Sequence, residues 1–347
     1  MALPTSDTVV TYPDGATTST GSVLHVEPLD DDRHAVLLDT TACHPVDTAW
    51  PDQPADRGTL TTHQGERPIV DAVTGGIHDG VLHLGRAVPV RTGTDGWTFV
   101  VAHIIEGAPP VIGDHVRVDV DQDHRAALSA AHTACHLAAL ALDAALAAGW
   151  SKSVPTDTLG NPAFDALAIQ SSRIFPHRSV DTYRIGKSLR RKGFTTAALD
   201  DLSAVAERVN GQLADWIAAG GAVRIERAED VLSARRTWVC ELPAGRTDIP
   251  CGGTHVHDLA ELSDLTTSLT TAQIDGGLEL TMETLATAGS SLRSDTVAEM
   301  ATPAVRRCRH AARGAISTAP PPTEGATSSQ GCEVHGKGAQ WHRLTGH

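Results

Sequence analysis

The hydrophobic pattern changes period at Asp121, and that change limits the folds open to the chain more than any other feature. Before it, short apolar runs alternate with polar residues and are broken by Gly, Asp and Pro: SVLHVEPL (22–29), HAVLLDTT (34–41), GGIHDGVLHLG (75–85), GWTFVVAHI (96–104) and HVRVDVD (115–121). Period-two alternation with regular turn signals predicts strands in a compact barrel or sandwich. After Asp121 the string DQDHRAALSAAHTACHLAALALDAALAAG (121–149) is rich in Ala and Leu at helical spacing. It predicts a long helix with Asp121 or Asp123 as N-cap and Gly149 as stop. Residues 150–190 read as loop with short strands, and 194–220 as a second helix with one Gly interruption at Gly211. AVRIERAE (222–229) and RTWVCELP (236–243) read as strands, and SLTTAQIDGGLELTME (268–283) as a hairpin turning at Asp275, Gly276 and Gly277. After about residue 287 the periodicity fades, and the 288–347 tail, basic on balance, reads as disordered with no assigned role.

A length of 347 residues argues for two domains rather than one. Aromatic residues make up only 3%, so the core must be built from Ala, Val, Leu and Ile. The net charge of −14 gives no global attraction to nucleic acid, so no DNA partner is expected and any RNA contact needs a local basic patch. Such a patch exists at Arg184, Lys187, Arg190, Arg191 and Lys192; phosphate contact is its sharp reading and a solvated charged loop the bland one. The N-terminus lacks a basic and an apolar signal region, and no apolar run reaches membrane-spanning length. A reducing cytoplasm is the expectation, with no membrane partner and with the six cysteines free to act as ligands.

His132 and His136 lie four apart inside the helical pattern, which puts both imidazoles on one face. Cys251 and His255 are again four apart, in IPCGGTHVHDLAEL, where Cys251 falls on a turn and His255 at the start of an apolar helical pattern. Thiolate and imidazole ligands suit zinc better than magnesium or calcium. Yet His occurs 18 times, often enough for such a pair to arise by chance, and Cys251 also reads as a small buried hydrophobe. HExxH, the zinc-deaminase HxE with PCxxC, and a GxxxxGK[ST] loop are all absent from the sequence.

CGGTHV (251–256) resembles the signature of alanyl-tRNA editing proteins, the free-standing AlaX-type relatives of the alanyl-tRNA synthetase editing domain. HTACHL (132–137) is similar to their HTAxHL helix motif, and DQPADRGTL (52–60) to their Gly-rich GGQPxDxG loop. The resemblance covers residues 20–285 in the right order. It implies an α+β chain: a β-barrel-like domain over 1–120, then a two-layer α/β editing domain over 121–287 with Zn²⁺ held by His132, His136, Cys251 and His255. It also implies an ATP-independent activity in translation fidelity, hydrolysis of the ester joining serine, and in some members glycine, to the tRNA made for alanine. The chain holds no synthetase core upstream of the β unit, which implies a separate editing protein. Where the family loop carries several glycines before Gln-Pro, this sequence has CHPVDTAWPDQPADRG, with less backbone freedom.

Reading serine against alanine calls for a polar group that is left unpaired by alanine. Thr41, with Thr40 beside it, either supplies that hydroxyl or ends a strand; Gln53 and Asp56 either touch the terminal adenosine or shape the loop. Cys43 beside His44 reads as packing rather than a nucleophile pair, since neighbours on a strand face opposite ways. Two rival functions share these residues: a non-catalytic zinc-containing tRNA-binding module, and a metal-dependent hydrolase of a small ester or amide.

Overall fold

The computed structural model describes residues 3–30, 32–47 and 50–288, so the tail lies outside the described residues. The first half is strand upon strand: β1 (Val9–Val10), β2 (Thr18–Pro28), β3 (Arg33–Leu38), β4 (Thr40–Thr41), β5 (Gly58–Thr62), β6 (Gly65–His78), β7 (Val81–Leu84), β8 (Thr98–Glu106) and β9 (His115–Val120). Seven of them form one sheet in the order β5-β9-β2-β3-β8-β6-β7. β6 is long enough to serve two neighbours. Its first residues pair with β5, Gly65 opposite Thr62, and its later ones run with β8 from Ile69 to Ile77. The β5–β6 pairing therefore turns the sheet back on itself as a ring. Alternation in β2, β3, β6 and β8 sends Val23, Val36, Leu38, Ile69, Phe99 and Val101 into one mostly aliphatic core. Asp79 and Gly80 both take positive φ (48° and 74°), the conformation a two-residue hairpin needs, and they fold β7 back on β6.

The second half opens on α1 (Gln122–Ala145), capped as expected: the Asp121 carboxylate accepts the His124 N–H. After it come α2 (Phe164–Ala168), β10 (Ile169–Phe175), β11 (Arg178–Gly186), α3 (Lys187–Arg191), α4 (Leu202–Ala219), β12 (Val223–Arg227), β13 (Arg236–Leu242), β14 (Gly245–Pro250), β15 (Leu262–Ile274) and β16 (Gly277–Ala288). An antiparallel sheet ordered β10-β11-β16-β15 carries α1 and α4 packed against it. Leu137 and Ala141 of α1, Val209 and Leu213 of α4, Tyr183 and Ile185 of β11 and Leu280 and Met282 of β16 form the second core. A small sheet, β12-β13-β14, delivers the chain to Cys251. Among the described residues the architecture is thus mostly β, with four α-helices and several sheets.

Three expectations need correction. Residues 194–220 are not one helix: Thr195 caps a 3-10 turn over Thr196–Leu199, and Asp201 then accepts the Ala204 N–H and starts α4 afresh. No helix begins at His255. A 3-10 turn over Leu259–Glu261, closed by an Asp258–Glu261 capping box, leads straight into β15. Residues 150–190, read as loop with short strands, do hold two strands, β10 and β11, but these pair as a hairpin turned by His177 at φ 61°, with a register shift between Ile169 and Ser171, and two short helices flank them. Among the described residues no helix is long and apolar enough to cross a membrane.

Candidate metal centre

The helix α1 presents His132 and His136 one turn apart, with ring centroids 4.8 Å from each other. The strand β14 ends at Pro250, and the coil after it brings Cys251 and His255 against the same helix face. Ligand atoms of His132, His136, Cys251 and His255 all lie within 4.8 Å of one another. Cys251 Sγ is 3.4 Å from His132 Nε2 and 3.4 Å from His255 Nε2. Those separations suit four donors around one small cation, whose bonds to N and S run about 2.0–2.3 Å.

Neighbouring groups hold the rings in place. Gln53 Oε1 accepts from His132 Nδ1 at 2.7 Å and from the Thr254 N–H at 2.9 Å, while Gln53 Nε2 donates to Thr254 Oγ1. Ser129 Oγ donates to the same Thr254 hydroxyl, so the network is closed and buried. Thr133 Oγ1 stands 3.3 Å from His255 Nδ1 and accepts the Val256 N–H. With each Nδ1 occupied in this way, the Nε2 atoms of His132 and His255 face the cluster. His136 Nε2 is buried and has no hydrogen-bond partner among the described residues. A buried nitrogen left without a partner is costly unless a ligand takes it, and together with the three other donors it fits a metal ion.

The electrostatics point the same way. Burial works against a thiolate at Cys251, yet the surrounding imidazoles, His132 first among them, outweigh it and hold the thiol well below its ordinary range. Burial likewise opposes charge on His132, but the Cys251 thiolate and the Asp52 carboxylate lift its pKa to about 10. His255 is pushed down to about 3 by burial and by His132, so it is a neutral imidazole. Proton and metal compete for the same lone pairs in such a group.

Asp52 was not singled out from the sequence. Its Oδ2 lies 3.4 Å from His132 Nε2, and its Oδ1 accepts the Gln53 N–H at 2.7 Å. Thr133, Thr254 and Ser129 were missed as well, although the first two sit inside the HTACH and CGGTH strings. A cavity of about 550 Å³ opens beside the cluster, lined by Asp52, His136, Cys251, Gly252 and Gly253 among others.

The remaining sequence candidates fall in different places. Thr41 is fully buried, its hydroxyl 2.8 Å from His103 Nε2 and accepting the Cys43 N–H; it does not line the cavity. Asp56 is fully buried, paired with Arg125 and accepting the His44 N–H. Arg184, Lys187, Arg190, Arg191 and Lys192 are all exposed, on β11 and α3 and just beyond, and none lines the cavity. Arg184 donates to the Asp275 carbonyl across the hairpin. Burial raises the Cys43 thiol well above its usual range and lowers His44 to about 4, so the two do not form an activated nucleophile.

The fold and site define a mostly β chain with a His/Cys group able to hold a metal ion. No family model matches the chain. An alanine–tRNA ligase from Pyrobaculum neutrophilum is 31% identical to it over 133 residues. That match takes in 37% of this chain and 12% of the ligase, so the chain spans only a small part of that relative's length.

Proposed function

We propose that the chain is a metal-dependent hydrolase that deacylates mischarged aminoacyl-tRNA in the cytoplasm, with zinc held by His132, His136, Cys251 and His255. The substrates are serine, and also glycine, wrongly attached to the tRNA for alanine. One observation carries the reading. Two ligand pairs 119 positions apart, each with the spacing and surrounding residues of the editing signature, converge on one point beside a cavity. The likeness to an alanine–tRNA ligase supports the tRNA connection.

Bound zinc supplies a Lewis acid that polarises an ester carbonyl or lowers the pKa of a water. The chain's own residues prepare the place. Gln53 fixes the His132 ring through Nδ1, and Thr133 does the same for His255. The cavity beside the ligands gives an aminoacyl ester room to approach. Asp56, paired with Arg125, steadies the cavity wall by accepting the His44 N–H, while Thr41 is bonded to His103 away from the cavity. The exposed run at Arg184, Lys187, Arg190, Arg191 and Lys192 meets the phosphates of the acceptor arm, so binding weakens as salt rises.

Metal analysis together with a deacylation assay tests the reading. Close to one zinc per chain is expected, with turnover of serine- and glycine-charged alanine tRNA and sparing of the alanine-charged form. His136→Ala should lose metal and activity together. Four protein ligands normally close a zinc site to substrate, which favours a tRNA-binding module as the second reading. Zinc without turnover would establish that module, and turnover of small esters alone would establish the small-ester hydrolase.

A further inference from the structure

The cavity beside the ligands is lined by several carboxylates as well as by Arg235 and Arg236. Asp52, Asp165 and Asp181 all line it. Among the described residues none of the three forms an ion pair with Lys or Arg, and the nearest approach of a cationic group is His132 to Asp52. Asp181 is 2% exposed, and burial, reinforced by the Asp165 carboxylate, raises its pKa to about 6. Carboxylates taken from water without a cation are expensive, and a cationic ligand relieves the cost.

A second observation at the same cavity also points to a ligand. His44 lines it, is 4% exposed, and has a buried Nδ1 with no hydrogen-bond partner among the described residues. A neutral imidazole at that place can accept a hydrogen bond from an N–H group.

Asp52 is the carboxylate nearest the metal ligands. Its Oδ2 touches His132 Nε2, one of the nitrogens that faces the cluster, yet Asp52 is not among the residues whose atoms lie mutually within 4.8 Å. It therefore flanks the four ligands instead of completing them. The Gln53 N–H fixes its other oxygen, so the carboxylate is held in place before any ligand arrives.

An aminoacyl ester carries an ammonium group whose nitrogen is about 2.5 Å from the carbonyl carbon, two bonds away. An ester placed with its carbonyl at the ligand cluster thus puts its nitrogen within reach of a carboxylate that flanks that cluster. We infer that Asp52, backed by His44 and the Asp165–Asp181 wall, binds the free α-ammonium group of the aminoacyl ester, so that the cavity selects esters with an unblocked amine. The inference rests on the proposed hydrolase reading and adds the specificity group to it. Asp52 is then a substrate-binding residue; it takes no proton and forms no bond.

The test separates binding from turnover. Two non-hydrolysable probes are titrated into the zinc-loaded full chain: 3′-serylamino-3′-deoxyadenosine and its N-acetyl counterpart. Wild type should bind the free-amine probe at least tenfold more tightly. D52N should retain its zinc and bind the two probes within about twofold of each other, a loss of preference rather than of all binding. In the deacylation assay the same variant should raise KM for serine-charged tRNA more than it lowers kcat. Equal binding of the two probes by wild type, or an undiminished preference in D52N, overturns the inference even if the chain hydrolyses charged tRNA. Preference for the free amine without any hydrolysis supports the inference and overturns only the hydrolase reading.

Discussion

A methyl group at position 253 would stand 2.4 Å from two ring atoms of His132 and 2.5 Å from Gln53 Oε1. At position 252 the nearest atom, a guanidinium nitrogen of Arg236, is 3.9 Å away. The two glycines of CGGTH therefore have different jobs. Gly253 lets the backbone pass close beneath an imidazole and the amide that orients it, whereas nothing crowds Gly252. G253A should push the His132–Gln53 pair apart and weaken metal binding roughly 10–100-fold, the usual effect of losing an orienting partner. G252A should stay within about threefold of wild type, as an uncrowded substitution does. Metal titration with a chromophoric chelator checks both, and equal affinities for the two variants would refute this division of labour. The i,i+4 ligand pairs were legible in the sequence because helix geometry fixes their separation. Their supports were not. Gln53 reaches His132 across 79 positions and Thr254 across 201, and Thr133 reaches His255 across 122. No local pattern encodes contacts that the whole fold has to bring together.

At the scale of elements, α1 and the strands before it could be read because cap, periodicity and turn chemistry agree there. The reading failed where two local signals competed. Asp200 and Asp201 sit inside an unbroken apolar pattern, and the capping bond of Asp201 to Ala204 outweighs continuity of the helix. Leu259, Leu262 and Leu265 have helical spacing, yet all three are buried at the start of β15 and before it, since they meet α4 and the rest of the second core. Asp143, near the end of α1, shows how one element holds another. Its carboxylate is 3% exposed and accepts the Asp165 N–H at 2.7 Å, which secures the first turn of α2. Burial, with the Asp165 and Asp157 carboxylates adding to it, raises its pKa to about 8 against the opposing N–H bonds. The folded value exceeds the unfolded one, so the native state keeps a proton that the unfolded chain releases. This group's contribution to stability is therefore full at acid pH and is lost as pH rises from about 4 to about 8. Asp143→Asn keeps an acceptor oxygen and removes the titration. Its Tm should vary less with pH between 5 and 8.5 and should exceed that of wild type by a few degrees at pH 8. Parallel Tm profiles for the two proteins in differential scanning calorimetry would show that Asp143 ionises without cost.

At the scale of the whole molecule, the described residues belong to one compact unit with an aliphatic core in each half, and the ligands depend on how the halves are joined. The join passes through Arg125 in the first turn of α1. Its guanidinium pairs with Asp56, Nε lying 2.8 Å from Oδ1, and donates to the Ala42 carbonyl at 2.8 Å and the Ala16 carbonyl at 3.2 Å. Asp56 in turn accepts the His44 N–H at 2.6 Å. The loop that carries Asp52 and Gln53 is thus fastened to the helix that carries His132 and His136. Both charges are buried, with side-chain exposures of 6% and 0%, so removing one leaves the other stranded. Asp56→Ala should cost about 3–5 kcal/mol of stability, a fall in Tm on the order of 10 °C. The double variant Asp56→Leu, Arg125→Met strands no charge and should lose less than D56A alone, even though it gives up the bonds to Ala42 and Ala16. Metal affinity separates fastening from mere stability. Measured well below each variant's Tm, it should fall in both, because both release the loop that presents Gln53 to His132. If the double variant regains stability and metal affinity together, the buried pair stabilises the chain without positioning the site. If D56A leaves Tm within about 2 °C of wild type, the pair does not join the halves at all.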